Sequence, residues 1–361
     1  MTSYQHPNAS PHHLIVDASP RALTLPYLLD VHKLRLFYGD LHNHTGYSDG
    51  TGSPDEALRQ MRARGLHFAA ITDHGEFFDR DTRVGHARRW DALARQVAAL
   101  SDEEFVAIRG FEWSSPRQGH SNVWCSATYT GYVATGDHSM LAFYEWLAKA
   151  QAEPEAQVLA SFNHPGREVV CFDGWAYVPA VDDRLVVLEC FNRDEEYGDA
   201  YFRALDRGWH VGAIGVSDHH GRDWGNPAFP RAGVFAPALT LPSLQAALIA
   251  RRVFATRSPD LMFLVTGNDA LMGSRLDLKP HEPLTIGVWC HDPPVRQGRT
   301  RLELWTSGSV LLTSHETRGL QQVCWSVTIK PHGPEECWFV VRLLHRGATL
   351  AYSSPIWVRW S

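Results

Sequence analysis

Apolar and polar positions change rhythm once along the chain. From residue 34 to about 256, short apolar runs alternate with stretches of helical period. The runs predict strands over 36–41, 68–72, 105–111, 158–162, 185–191, 210–216 and a short 233–235. The first helix is the best signalled: Ser53 can cap it, Pro54 fits its first turn, Glu56 completes Ser-x-x-Glu and Gly65 ends it. Residues 90–100, 141–150, 197–207 and 243–252 also read as helices. Strand–helix alternation of this length indicates parallel β/α units, and seven of them closing on themselves make a barrel whose catalytic residues sit where strands end. After Pro259, β-branched and aromatic runs at 261–266, 284–289, 301–305, 323–329, 338–344 and 356–360 are separated by turn signals, with no convincing helix among them. They read as a small antiparallel β-sandwich. The expected organisation is α/β: a polar, Pro-rich tail over 1–32, a distorted (β/α)7 barrel over 33–258 and a β-sandwich over 259–361.

Composition narrows the class. With 44% hydrophobic and 20% charged residues in 361, the chain is globular, which excludes disordered, collagen-like and coiled-coil readings. No apolar run approaches the ~18–20 residues of a membrane span, and the N-terminus lacks a basic-then-apolar signal pattern. A cytoplasmic location without membrane partners is expected. Six cysteines without C-x-x-C spacing remove zinc-ribbon and thioredoxin-like readings and are expected as free, buried thiols. The balance of 34 Lys+Arg against 40 Asp+Glu, a net charge of −6, argues against a nucleic-acid partner. The unusual number is 20 histidines, the commonest metal ligand and acid–base side chain.

Many of these histidines fall at predicted strand ends. The first strand runs into Asp40-Leu41-His42-Asn43-His44, followed by Ser48-Asp49-Gly50. Residues two apart in a strand share a side, so His42 and His44 can grip one ion, although two polar strand-end histidines read the same way. Asp40, on that face, is placed to accept an imidazole N–H. The second strand ends in Asp73-His74 and the third in Glu112, with His120 in the following Gly119-His120-Ser121-Asn122. The fourth ends in Asn163-His164-Pro165-Gly166 and the sixth in Ser217-Asp218-His219-His220. Ligands drawn from separate strand ends are how a barrel builds a polynuclear metal site. Nitrogen and oxygen donors without cysteine suit first-row transition metals rather than a closed thiolate zinc site.

In combination these motifs resemble the PHP (polymerase and histidinol phosphatase) metal-dependent hydrolases. The run Tyr38-Gly39-Asp40-Leu41-His42-Asn43-His44-Thr45, with Gly-His-Ser-Asn at 119–122, Arg251-Arg252-Val253-Phe254-Ala255-Thr256 and Leu271-Met272-Gly273-Ser274, is similar to the CehA/McbA-like branch, which commonly carries a β-domain after the barrel. The resemblance implies two or three divalent ions (Zn, Mn or Fe). By position, His42, His44, Glu112 and Asp218 would hold the first, and Asp49, His74 and His220 the second. Glu112, His120 and His164 would hold a third, with Glu112 bridging. His138 competes with His120, and His220 is preferred over His219 because the family pattern is Asp-x-His. Three carboxylates offset half the charge of three divalent ions, which leaves a pocket suited to a small anionic ester.

The expected activity is phosphoesterase hydrolysis, in which a hydroxide bridging two ions attacks phosphorus. Carbamate or carboxylic ester hydrolysis on the same site is the alternative, and a non-catalytic metal-containing binding protein is a second. Two catalytic residues are proposed: Arg167, whose fork matches an anion, and Asp73, to orient water or take the leaving-group proton; a surface Arg and a strand-end hydrogen bond are the plain readings. Asn192 and Arg193 close the fifth strand, where no ligand is found, and Asn192 reads either as a substrate contact or as turn chemistry. Trp113, Trp175 and Trp224 can wall a leaving group but fit core packing better. His67, His86 and His210 read as structural, and the five histidines after Pro259 as surface residues. The loops at 117–118, 171–179 and 222–231 are expected to set the substrate.

Overall fold

The computed structural model describes residues 15–17, 29, 33–80, 89–135, 139–168, 170–292, 297–331 and 333–361. His86 and His138, and most of the 1–32 segment, lie outside them. The fold is mixed α/β, with a large sheet that carries the strand ends of interest and a second, antiparallel sheet.

The large sheet begins with β1 (Arg35–Asp40), β2 (Phe68–Ile71) and β3 (Val106–Ser115), all parallel. Strand β3 outruns its expected end, because Ser114-Ser115-Pro116-Arg117-Gln118 makes a polar turn that returns the chain as β4 (Gly119–Trp124). Its register, Glu112↔Asn122 and Ser114↔His120, turns an expected loop into a hairpin. Gly119 makes that turn possible: its φ is +108°, and a Cβ there would meet the Phe172 ring at 2.8 Å. Then come β5 (Leu159–Phe162), β6 (Leu185–Asn192) and β7 (Gly212–Val216); β5 is antiparallel to β4, and β5, β6 and β7 are mutually parallel. Strands β2, β5, β6 and β7 are buried along their whole length, as parallel strands covered on both faces must be.

Two antiparallel strands complete this part. Strand β8 (Arg231–Ala236) lies between β1 and β9 (Val253–Thr256). The sheet curls until its ends approach: a Cβ on Gly215 in β7 would lie 2.9 Å from the Arg231 carbonyl oxygen in β8. Beyond β7 the chain reaches β1's end as well, where Asn43 and His219 form a bridge. Helices cover the outside. In Pro54–Ala63, Ala57, Leu58 and Met61 are buried and Ser53 accepts the Glu56 N–H at 3.2 Å. The Glu56 carboxylate pairs instead with Arg222 at 3.2 Å, so the return half of the expected capping box is not made.

The second sheet runs Ile15–Asp17, Val323–Ile329, Leu284–His291, Met262–Gly267 and Ala270–Leu271, all antiparallel. The segment expected as a tail thus contributes a strand. The remaining C-terminal strands extend the large sheet itself: Ala348–Ser353 pairs with β9, with Phe254 opposite Ser353. Side chains reinforce this seam. His210 lies 2.7 Å from Asp182 and 2.9 Å from Glu336, Tyr352 donates to Glu196 at 2.6 Å, and Phe202 stacks on Trp305 and Trp338. His345 is buried beside Thr300 rather than at the surface.

Candidate metal centre

Nine side chains converge at one end of the large sheet. They form three groups, in each of which the nitrogen and oxygen atoms lie within 4.8 Å of one another: His42, His44 and Asp218; His44, Asp49, His74 and His220; and Glu112, His120 and His164. Alternation along the extended segment after β1 puts His42 and His44 on one side, with their Nε2 atoms 3.0 Å apart. Each of those atoms is 3.3 Å from Asp218 Oδ1. Asp218 and His164 have φ of 46° and 25°, left-handed values that a residue with a Cβ adopts at a cost in strain.

The loop after His44 carries Asp49 over the cluster, 3.6 Å from His74 Nε2 and 3.4 Å from His220 Nε2. Gly50 lets it come this close, since a Cβ there would lie 2.8 Å from the His44 carbonyl carbon. His220 faces Asp49, whereas His219 turns away, accepts the Asp223 N–H at 2.9 Å and packs on Trp224 and Phe229. The hairpin brings His120 Nδ1 to 3.2 Å from Glu112 Oε1.

Burial opposes charge here, but mutual attraction overrides it. Burial alone would raise Glu112 and Asp218, yet the surrounding imidazoles, His42 first, hold both carboxyls well below the usual range. Burial would lower His42, but Asp218, Glu112 and Glu189 hold it well above the usual range. Against burial, Asp49 and Glu112 hold His74 up to about 10. His44 behaves oppositely: desolvation drives it down to about 3, which leaves a neutral ring. Nitrogens of His42, His44 and His74 converge on the Glu112 carboxylate, where a cation fits between them. The donor set of imidazoles and carboxylates without thiolate suits divalent transition metals.

Some expectations need correction. Asp40 takes no imidazole N–H; it accepts the backbone N–H groups of His42 at 3.3 Å and Ser217 at 3.2 Å and so ties the ends of β1 and β7. The carboxylate behind His42 is Glu189, 2.7 Å from Nδ1. Asp73 is fully buried and spends its oxygens on the Thr45 N–H at 2.8 Å, the Thr45 hydroxyl at 2.7 Å and Ser48, so it shapes the 45–48 turn and is not open to a leaving group. Arg167 does reach the cluster, bonding Asp218 at 3.0 Å, Asn192 at 2.9 Å and Glu195 at 2.8 Å. Asn192 is fully buried between Arg167 and Glu189, which is neither a substrate contact nor turn chemistry. Arg193 donates to the Asp218 carbonyl at 2.9 Å. Trp113, Trp175 and Trp224 are buried core side chains.

Sequence reasoning missed Glu189, Glu168 and two other partners. Glu168 lies 3.7 Å from both His120 and His164, Asn163 donates to Glu112 at 2.9 Å and Ser114 lies 2.6 Å from His74. A signal for Glu189 was present: a carboxylate inside the apolar run Leu185–Asn192 demands buried partners.

Residues 40–161 match the model of the PHP domain, a stretch that holds His42 through His120 of the cluster and stops short of His164, Asp218 and His220. A two-domain protein from Bacteroides vulgatus ATCC 8482, containing a predicted PHP-like metal-dependent phosphoesterase, superposes at TM-score 0.50 and 17% identity, over 90% of this chain and 96% of that one. That likeness is one of fold, across both parts of the chain. A candidate metal-dependent phosphoesterase from Bifidobacterium adolescentis ATCC 15703 is 15% identical at TM-score 0.32, covering 51% of this chain and 88% of that one. An amidohydrolase from Chromobacterium violaceum with bound sulfate and no metal gives 15% identity and TM-score 0.32, covering 60% of this chain and 96% of that one. No curated protein matches the chain. Among the described residues, no helix is long and apolar enough to cross a membrane.

Proposed function

We propose that this protein is a metal-dependent phosphoesterase acting on a small anionic ester in the cytoplasm, of the CehA/McbA-like branch. In this reading residues 33–258 are a distorted (β/α)7 PHP barrel and 259–361 a β-sandwich. One observation carries the proposal: the buried Glu112 carboxylate has nitrogens of five imidazoles, those of His42, His44, His74, His120 and His164, between 2.9 and 3.4 Å from its oxygens. A structural role gives no reason to gather so many lone pairs around one buried anion.

His42, His44, Glu112 and Asp218 would hold one ion, Asp49, His74 and His220 a second, and Glu112, His120 and His164 a third. When bound, such ions supply Lewis acidity toward the ester oxygens and a nucleophile from water at neutral pH. The protein's own side chains do the positioning. Asp73 holds the turn that carries Asp49, and Arg167 fixes Asp218 from the rim. Arg167 remains partly exposed, so an anionic ester that displaces Glu195 would find its fork. Asp49 and His220 are the solvent-facing members of the cluster and mark the side from which substrate enters.

The test is turnover of p-nitrophenyl phosphate, bis-p-nitrophenyl phosphate and 1-naphthyl carbamate by protein reconstituted with Zn, Mn or Fe. Metal-stimulated release of nitrophenol from a phosphate ester is expected. Turnover of the carbamate alone would replace the phosphoesterase reading with the ester-hydrolase one. No turnover with any metal would overturn both.

A further inference from the structure

Strand β6 ends without a ligand candidate, yet it carries Glu189, which is inaccessible to solvent in a run buried along its whole length. An unpaired carboxylate there would cost several kcal/mol, roughly, so its partners define its purpose. Its Oε1 lies 2.7 Å from His42 Nδ1. A carboxylate only accepts, so Nδ1 carries a proton and Nε2 is the nitrogen left to offer an ion its lone pair. That nitrogen faces Glu112 and Asp218, each 3.3 Å away. The other oxygen accepts the His164 backbone N–H at 2.8 Å and the Asn192 side-chain N–H at 2.9 Å. His164 is the residue with φ 25°, so this bond holds a strained backbone whose side chain belongs to another of the three groups.

We infer that Glu189 is a positioning residue of the metal centre: it fixes His42 as the Nδ1–H tautomer and pins the backbone of His164, so one carboxylate orients ligands in two of the three groups. This rests on the metal-hydrolase reading above. Removing such a partner typically weakens metal binding by about tenfold to a hundredfold. The test is chelator competition for zinc in Glu189→Gln, with circular dichroism to check the fold, and 15N NMR of zinc-loaded wild-type protein with the His42 signal assigned by its loss in His42→Ala. Expected are a proton on His42 Nδ1 in the wild type and a zinc affinity lowered about tenfold to a hundredfold in a folded Glu189→Gln variant. A proton on His42 Nε2, or unchanged affinity in the folded variant, would overturn the inference and leave the metal reading standing. If Glu189→Gln does not fold, the wild-type tautomer decides alone. A wild-type protein that takes up none of zinc, manganese and iron would remove the metal reading, and this inference with it.

Discussion

The inner and outer halves of the cluster are built differently. His42, His44, Glu112 and Asp218 have side chains 0–4% exposed and rest on buried acceptors and donors behind them. Asp49 and His220 are 47% and 31% exposed and hang from a loop and a strand-end extension. A buried, hydrogen-bonded ligand has its orientation fixed before metal arrives, whereas an exposed one must be ordered on binding. On the proposed metal-hydrolase reading, the inner set would hold an ion permanently and the outer set would exchange ions, water or substrate oxygens.

Substitutions can break or sharpen that contrast. The largest effect is expected from His42→Ala, which removes an inner ligand: turnover of the phosphate ester should fall about a thousandfold or more, with metal content reduced and circular dichroism unchanged. Retained turnover would show that His42 is no ligand. Asp49→Ala should act more selectively, weakening one ion about a hundredfold while the inner ion survives dialysis. Metal analysis after graded chelation checks this, and simultaneous loss of all ions would erase the distinction between the halves.

The smallest effect on metal lies far from the cluster, at His210. Asp182 and Glu336 raise its pKa although burial opposes them, and His210 helps to hold Glu336 down to about 2. A raised histidine contributes stability fully below its unfolded value, and that contribution is lost as pH rises through the folded one; the lowered Glu336 carboxyl loses its own as pH falls toward about 2. His210→Gln should therefore cost about 2 kcal/mol at around pH 6 and progressively less as pH rises through the raised His210 value, with metal content unchanged. A pH-independent cost in denaturant melts would dismiss the ion-pair account.

What the sequence made legible follows from how each residue announces itself. Strand ends such as Asp73-His74 and Asp218-x-His220 are local, because the period-two rule tells which neighbours share a side. The ligand candidates were readable for that reason. The residues that orient them are not local: Glu189 is 147 positions from His42, and nothing in its neighbourhood says which ring it meets. Strand β4 was hidden because Gly119-His120-Ser121-Asn122 has a loop composition, and only pairing against Glu112–Ser115 makes it extended. The edge strand Ile15–Asp17 was missed likewise, its partner lying at residues 328–329.

The seam at β9 gives Arg251-Arg252-Val253-Phe254-Ala255-Thr256 a meaning apart from any chemistry. Its two arginines clasp carbonyls, Arg251 those of His210 and Asp182 and Arg252 that of Phe235. Its strand is paired on both sides, to β8 and to Ala348–Ser353. A strand left with one side open is a template for other chains, and here that side is occupied from within. The C-terminal part thus fills that side of β9 with strands of the same chain, which makes both parts one continuous sheet.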